Sequence, residues 1–171
     1  MSPRVAVLVG NPKPASRTRD AAVHLARALT GVAPDLVVDL ADLGPALLDG
    51  ADPSVDAVVE QVRSADLLVV ASPTYKASYT GLLKVFLDRF PPGGLRGVVA
   101  VPLMLGAGPA HALAPELLLR PVLTEVGATV PVPGAYVLDS AYDDPTAYDA
   151  WLAAARPVIG TLLGLGDGVA A

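Results

Sequence analysis

Apolar residues recur along the chain in short, nearly unbroken runs rather than in alternation. The runs cover residues 5–10, 36–40 (interrupted by Asp39), 67–71, 98–105 and 128–138, and Val and Leu dominate them. Runs of this kind predict strands covered on both faces, as in a parallel sheet, because a half-exposed strand alternates apolar with polar positions. The fifth run contains Pro131 and Pro133. Each lacks a ladder donor, so that strand is expected to begin only near Ala135. Between the runs the period becomes helical. Val55, Val58, Val59 and Val62 form one stripe opposite Asp56, Glu60 and Arg63, and Asp52-Pro53 supplies an N-cap and a first-turn proline. Asp144-Pro145 opens a last helix in the same way, predicted over residues 146–163 with a bend at Pro157. From Gly81, the residues Leu82, Leu83, Phe86, Leu87 and Phe90 share a helical face that ends at Pro91-Pro92-Gly93-Gly94.

Strand and helix thus alternate five times in 171 residues. The expected architecture is an α/β three-layer sandwich on a five-stranded parallel sheet. Its strand order, 2-1-3-4-5, fits this length better than the longer dinucleotide-binding fold. With no linker or internal repeat, residues 1–171 are expected to form one domain, with 164–171 as a loose tail.

Composition narrows the class. Apolar residues make up 53% and charged residues 17%, against roughly 25% charged in an average soluble domain, which excludes intrinsic disorder. The longest uncharged stretch, residues 97–115, is broken by Pro102, Pro109 and Pro115 and carries His111, so no spanning helix is expected. The first apolar run is too short for a secretory leader before Lys13 and Arg17 intervene, and a cytoplasmic location is expected. With no cysteine, disulfide scaffolds, thiolate chemistry and iron–sulfur clusters are excluded. His24 and His111 stand in no ligand pattern, so no metal site is expected. A pI near 4.8 argues against nucleic acid as a partner.

The net charge of -5 is unevenly distributed. Residues 35–66 hold eight acids and one base, Arg63. They cover the second strand, an edge strand in this order, where Asp35, Asp39 and Asp42 would discourage edge pairing as a solvated flank. Residues 11–19 hold Lys13, Arg17 and Arg19 and no acid.

That cationic island falls where a ligand belongs. In this sheet, ligands sit beyond the carboxyl ends of the strands where strand order reverses, between the first and third strands. The first loop there runs Gly10-Asn11-Pro12-Lys13-Pro14-Ala15-Ser16-Arg17-Thr18. Its hydroxyls, backbone N–H groups and cations at a helix start suit a phosphate. Ser16 or Thr18 as a simple N-cap is the competing reading, although no Glu or Gln stands three residues on to complete a capping box. The loop is neither Gly-x-x-x-x-Gly-Lys-Ser/Thr nor Gly-x-Gly-x-x-Gly, which disfavours ATP and a Rossmann dinucleotide. Ser72 stands where a phosphoacceptor aspartate of a receiver domain would be. The second loop, residues 71–81, is polar, aromatic and stiffened by Pro73, and such a loop can line a flat heteroaromatic ring. Tyr75 and Tyr79 equally suit half-buried loop anchors.

Gly10-Asn11-Pro12 through Ser16-x-Thr18, with Ser72-Pro73-Thr74-Tyr75-x-x-Ser78-x-Thr80-Gly81-x-Leu83-Lys84-x-x-Leu87-Asp88, resembles the NAD(P)H-dependent FMN reductases of flavodoxin-like fold. A third loop, residues 102–111, and then Leu119-Arg120-Pro121-Val122-Leu123 resemble the branch that supplies reduced flavin to two-component monooxygenases such as the alkanesulfonate systems. The resemblance spans residues 5–140. It implies FMN as the flavin, NADPH or NADH as hydride donor, a homodimer or homotetramer, and a flavin-dependent monooxygenase as a partner. It implies that Asn11, Ser16, Arg17 and Thr18 hold the FMN phosphate. Pro73, Thr74, Tyr75 and Lys76 would lie along the isoalloxazine edge, and Gly106, Ala107 and Gly108 would close its pyrimidine side. His111 has a counterpart in the family and equally suits a polar residue opening the fourth helix. The chain departs from the family in having Ala107 where a second adjacent glycine is usual, and Leu117 where an aromatic residue can stand in the fourth helix. No side chain is expected as general acid or base, because the flavin carries the redox chemistry. The alternatives are a quinone, azo or metal-ion reductase that retains FMN, or a flavodoxin-like electron carrier without NAD(P)H activity. His24 reads as a surface or interface residue, Tyr148 and Trp151 as packing residues. Asp139, Asp143 and Asp144 read as surface acids and a cap rather than a cation site.

Overall fold

The computed structural model describes residues 2–165. Five strands, β1 (Val5–Val9), β2 (Leu36–Asp39), β3 (Leu67–Pro73), β4 (Val99–Gly106) and β5 (Ala135–Leu138), form one parallel sheet in the order β2-β1-β3-β4-β5. β5 begins at Ala135, as Pro131 and Pro133 dictate. Ahead of them Thr129 makes only an isolated bridge to Val99.

Strand side chains alternate between two apolar layers. Ala6, Leu8, Leu68 and Val70 face one core with Leu83, Phe86 and Leu123, whereas Val5, Val7, Val9, Val69 and Val101 face the other with Leu25, Leu29, Leu152 and Ile159. β1, β3 and β4 are buried throughout, which accounts for their unbroken apolar runs. The helices covering them are α1 (Arg17–Thr30), α2 (Pro53–Arg63), α3 (Gly81–Leu87), α4 (Arg120–Glu125) and α5 (Asp149–Leu163). The Asp52 carboxylate caps α2 by accepting from Ser54 N at 2.8 Å.

Three helix boundaries differ from the expectation. Asp144 does accept from Thr146 N (2.9 Å), but Pro145–Tyr148 forms a 3-10 turn first and α5 starts at Asp149, continuing through Pro157. α3 ends at Leu87, and Phe90 remains buried by stacking edge to face on Phe86 at 5.6 Å. The fourth helix is divided into a 3-10 turn (Pro109–His111), a π-helical turn (Pro115–Leu119) and α4, so His111 ends a turn rather than opening a helix. Prolines 109, 115 and 121 each lack the N–H that a continuous helix needs. Gly164, left-handed at φ 64°, closes α5, and Leu165 N donates to Gly160 O at 2.9 Å. Residues 166–171 lie outside the described residues.

The acidic flank is also more than a solvated edge. Asp35 accepts from Val5 N (2.7 Å) and Asp66 from Arg4 N (2.7 Å), so these carboxylates fasten the strand starts. Asp39 is 8% exposed and accepts from two backbone N–H groups, whereas Asp42 is exposed. Tyr148 packs as expected, buried against the ring of His24 at 4.7 Å. Desolvation, with the Asp143 charge second, pushes its phenol up to about 12. Trp151 Nε1 donates to Pro133 O at 2.8 Å. Among the described residues no helix is long and apolar enough to cross a membrane, and no acid or histidine cluster could hold a metal ion.

Candidate functional site

The three loops singled out in the sequence all leave the carboxyl ends of β1, β3 and β4, and short hydrogen bonds join them. Gly10 N donates to Ala71 O at 2.8 Å and Thr80 Oγ1 donates to Gly10 O at 2.5 Å, tying the first loop to the second. Thr74 N donates to Leu105 O at 2.7 Å, tying the second to the third. Thr80 is also the N-cap of α3, accepting from Leu83 N, and its own N–H is received by the fully buried Ser72 Oγ at 3.0 Å. Gly10 lies so close to α3 that a Cβ there would stand 2.5 Å from Leu83 Cβ. Thr80→Ala, which removes a cap and this tie at once, is expected to lower stability by about 1.5 kcal/mol, or roughly 4 °C in Tm. Calorimetry gives the value, and an unchanged Tm would show that Thr80 holds nothing.

In the first loop the capping and phosphate readings are compatible. Ser16 is the N-cap of α1, and its Oγ accepts from Arg19 N at 3.3 Å, which leaves the hydroxyl proton available to a ligand. Asn11 is buried, with Nδ2 donating to Thr18 Oγ1 (3.0 Å) and Oδ1 accepting from Lys13 N (2.9 Å). Thr18 therefore also keeps a proton to donate. Arg17 is exposed and lies over the Tyr142 ring, 5.6 Å from its centroid. Among the described residues neither Lys13 nor Arg17 has an ion-pair partner, and Arg19 only approaches Asp20 at 3.8 Å. Two hydroxyls, the first-turn N–H groups of Arg17 and Thr18 and the positive end of a 14-residue helix thus fall within three consecutive residues, 16 to 18.

The second loop projects and is strained. Tyr75 is 52% exposed, while Tyr79 packs against the core, so only Tyr79 is an anchor. Tyr75 and Ser78 exchange both backbone hydrogen bonds (2.8 and 3.1 Å) across Lys76 and Ala77, which have φ of 50° and 67°. Neither is a glycine, and left-handed backbone costs an alanine roughly 1 kcal/mol. Ala77→Gly is accordingly expected to add about 1 kcal/mol in urea unfolding; a loss of stability would contradict this turn geometry.

The third loop is built around a residue that the sequence reading missed. Tyr136 of β5 donates its hydroxyl to Gly108 O at 2.6 Å and fills the space beside Gly106, where a Cβ would overlap the phenol oxygen and stand 3.3 Å from Thr74 Oγ1. Gly106 is therefore required, and Ala107, exposed beside it, is not a packing conflict. Burial raises the Tyr136 pKa, with the Asp139 charge adding to it and the Thr74 hydroxyl opposing it. Thr74 Oγ1 is itself buried beside that phenol, close enough to lower its pKa but without a hydrogen bond of good geometry, and a poorly satisfied buried hydroxyl invites a ligand. Pro73 is buried at the end of β3, Lys76 is exposed at the turn, and Gly108 is half-buried. His111 is exposed on its 3-10 turn with no hydrogen bond to the other site residues. A shallow groove lined by Pro3, Asp66, Val99 and Leu162 opens at the opposite, amino-terminal edge of the sheet, away from these loops.

Known proteins resemble this chain in sequence and fold. Residues 3–143 match the family model of NADPH-dependent FMN reductase. The FMN reductase (NADPH) of Escherichia coli strain K12 is 36% identical over 143 residues, covering 80% of this chain and 74% of that protein. The NADH-dependent FMN reductase SfnF of Pseudomonas putida is 34% identical over 148 residues, covering 82% of this chain and 80% of the other. Among solved structures, the apo form of the NADH:FMN oxidoreductase EMOB superposes with a TM-score of 0.81 at 34% identity, covering 96% of this chain and 91% of that one. The chain belongs to the NADPH-dependent FMN reductase family and is an oxidoreductase of flavodoxin-like fold.

Proposed function

We propose that the chain reduces FMN at the expense of NADPH or NADH and releases the reduced flavin to a partner monooxygenase. The reading is carried by the first loop, where the Ser16 and Thr18 hydroxyls keep uncommitted protons at a helix start that also holds Lys13 and Arg17; the poorly satisfied Thr74 hydroxyl of the second loop supports it. Asn11, Ser16, Arg17 and Thr18 would hold the phosphate. Pro73, Thr74, Tyr75 and Lys76 would border the ring, and Gly106 to Gly108, braced by Tyr136, would close its far side. Bound FMN supplies the hydride-accepting chemistry. The chain's own part is to bind, orient and exclude water, which fits a site built of hydroxyls, amides and glycines rather than acid–base pairs.

Release distinguishes this reading from a reductase that retains its flavin. After incubation with excess FMN and gel filtration, the protein is expected to elute without flavin absorbance. A stoichiometric yellow protein would replace the release step with chemistry on a prosthetic group.

A further inference from the structure

The phosphate loop is held by a carboxylate from the neighbouring strand. Asp39, the last residue of β2, lies 24 positions beyond Ala15, yet its Oδ2 accepts from Ala15 N at 3.1 Å while Oδ1 accepts from Ala41 N at 3.3 Å. The second bond is an ordinary cap of the 3-10 segment Leu40–Leu48. The first has no capping purpose. It fixes the residue just before the α1 N-cap, and Ala15 there has φ 49°, a left-handed conformation that an alanine adopts only when its surroundings impose it.

A buried carboxylate beside a site for an anion is unfavourable unless it has other work. Desolvation raises the pKa of Asp39 and the Asp42 charge raises it further, against the two N–H groups and Arg19. On charge alone, this position would favour a neutral side chain near a phosphate. The contact it makes is the compensation: it holds the residue directly before Ser16, whose hydroxyl opens the candidate donor set completed by the Thr18 hydroxyl and the first-turn N–H groups of α1.

We infer that Asp39 is a positioning residue for flavin phosphate recognition, holding Ala15 so that the donors of the first loop are preorganised for a phosphomonoester. The inference rests on the reading that this loop holds the FMN phosphate. Preorganisation enters as affinity, because a loop already in its bound conformation loses less freedom on binding.

The test compares FMN with riboflavin, the same ring without phosphate, by quenching of flavin fluorescence on the folded protein and its Asp39→Ala and Asp39→Asn variants. Wild type is expected to prefer FMN. Asp39→Ala is expected to reduce that FMN-to-riboflavin preference about tenfold, the scale of one charge-assisted hydrogen bond. Asp39→Asn, which keeps one acceptor and the shape but not the charge, should retain an intermediate preference. An unchanged ratio in Asp39→Ala, or equal weakening of both ligands, would reduce Asp39 to a structural cap and overturn the inference. Tighter FMN binding by both variants would do the same, since charge repulsion would then outweigh positioning. If wild type itself fails to distinguish the two flavins, the phosphate reading of the loop falls, and the inference with it.

Discussion

Replacing Ser16 and Arg17 together by alanine is expected to weaken FMN binding about a hundredfold, from two hydrogen bonds to a charged group at roughly 1.5 kcal/mol each. Ser16 gives a hydroxyl proton that its capping bond to Arg19 N leaves uncommitted, and Arg17 gives a guanidinium held over Tyr142 without an acidic partner among the described residues. The cap is lost as well, so stability should fall by roughly 1 kcal/mol, about 3 °C in Tm. Titration of the folded double variant with FMN, with circular dichroism as the control, gives the answer. Unchanged affinity in a folded protein would remove the first loop from the binding site.

The third loop should be equally sensitive to one methyl group. Gly106→Ala places a Cβ where Tyr136 Oη sits and against Thr74 Oγ1, and overpacking of this kind in a rigid site costs about 3 kcal/mol. Tyr136 is held there by its register with Met104 of β4 and by the bond from its hydroxyl to Gly108 O. The double variant Gly106→Ala/Tyr136→Phe, with the overlapping oxygen gone, should recover part of the loss. Chemical denaturation of both variants measures this coupling. Strict additivity would mean that Tyr136 is not what excludes a side chain at position 106.

Much of the framework was legible because it depends on local pattern. The unbroken runs of β1, β3 and β4 reflect burial on both faces, Asp52-Pro53 marks the start of α2, and Pro131 with Pro133 sets the start of β5. The division of the fourth helix was not legible in detail. Three prolines announce interruption, but which turn each takes depends on what packs beneath it, such as Glu116 accepting from Gly134 N and pairing with Arg120.

The site divides along the same line. The first two loops could be read from contiguous residues, since a run of donors without acids is visible along the chain. The braces behind them could not. Asp39 is 24 residues from Ala15, and Tyr136 is 28 from Gly108 and belongs to an edge strand. In sequence Asp39 is one acid among eight, and Tyr136 one aromatic in a short apolar run. Only strand order, which sets β2 beside β1 and β5 beside β4, brings each to its loop.

The reductase account stands on hydride leaving a nicotinamide in the presence of this protein and FMN. Nicotinamide absorbance followed after mixing the purified chain with FMN and NADPH, and separately NADH, is predicted to fall at a rate proportional to protein and dependent on FMN. No oxidation of either nucleotide by a folded, FMN-supplied protein would contradict the account and leave an electron carrier of the same fold in its place.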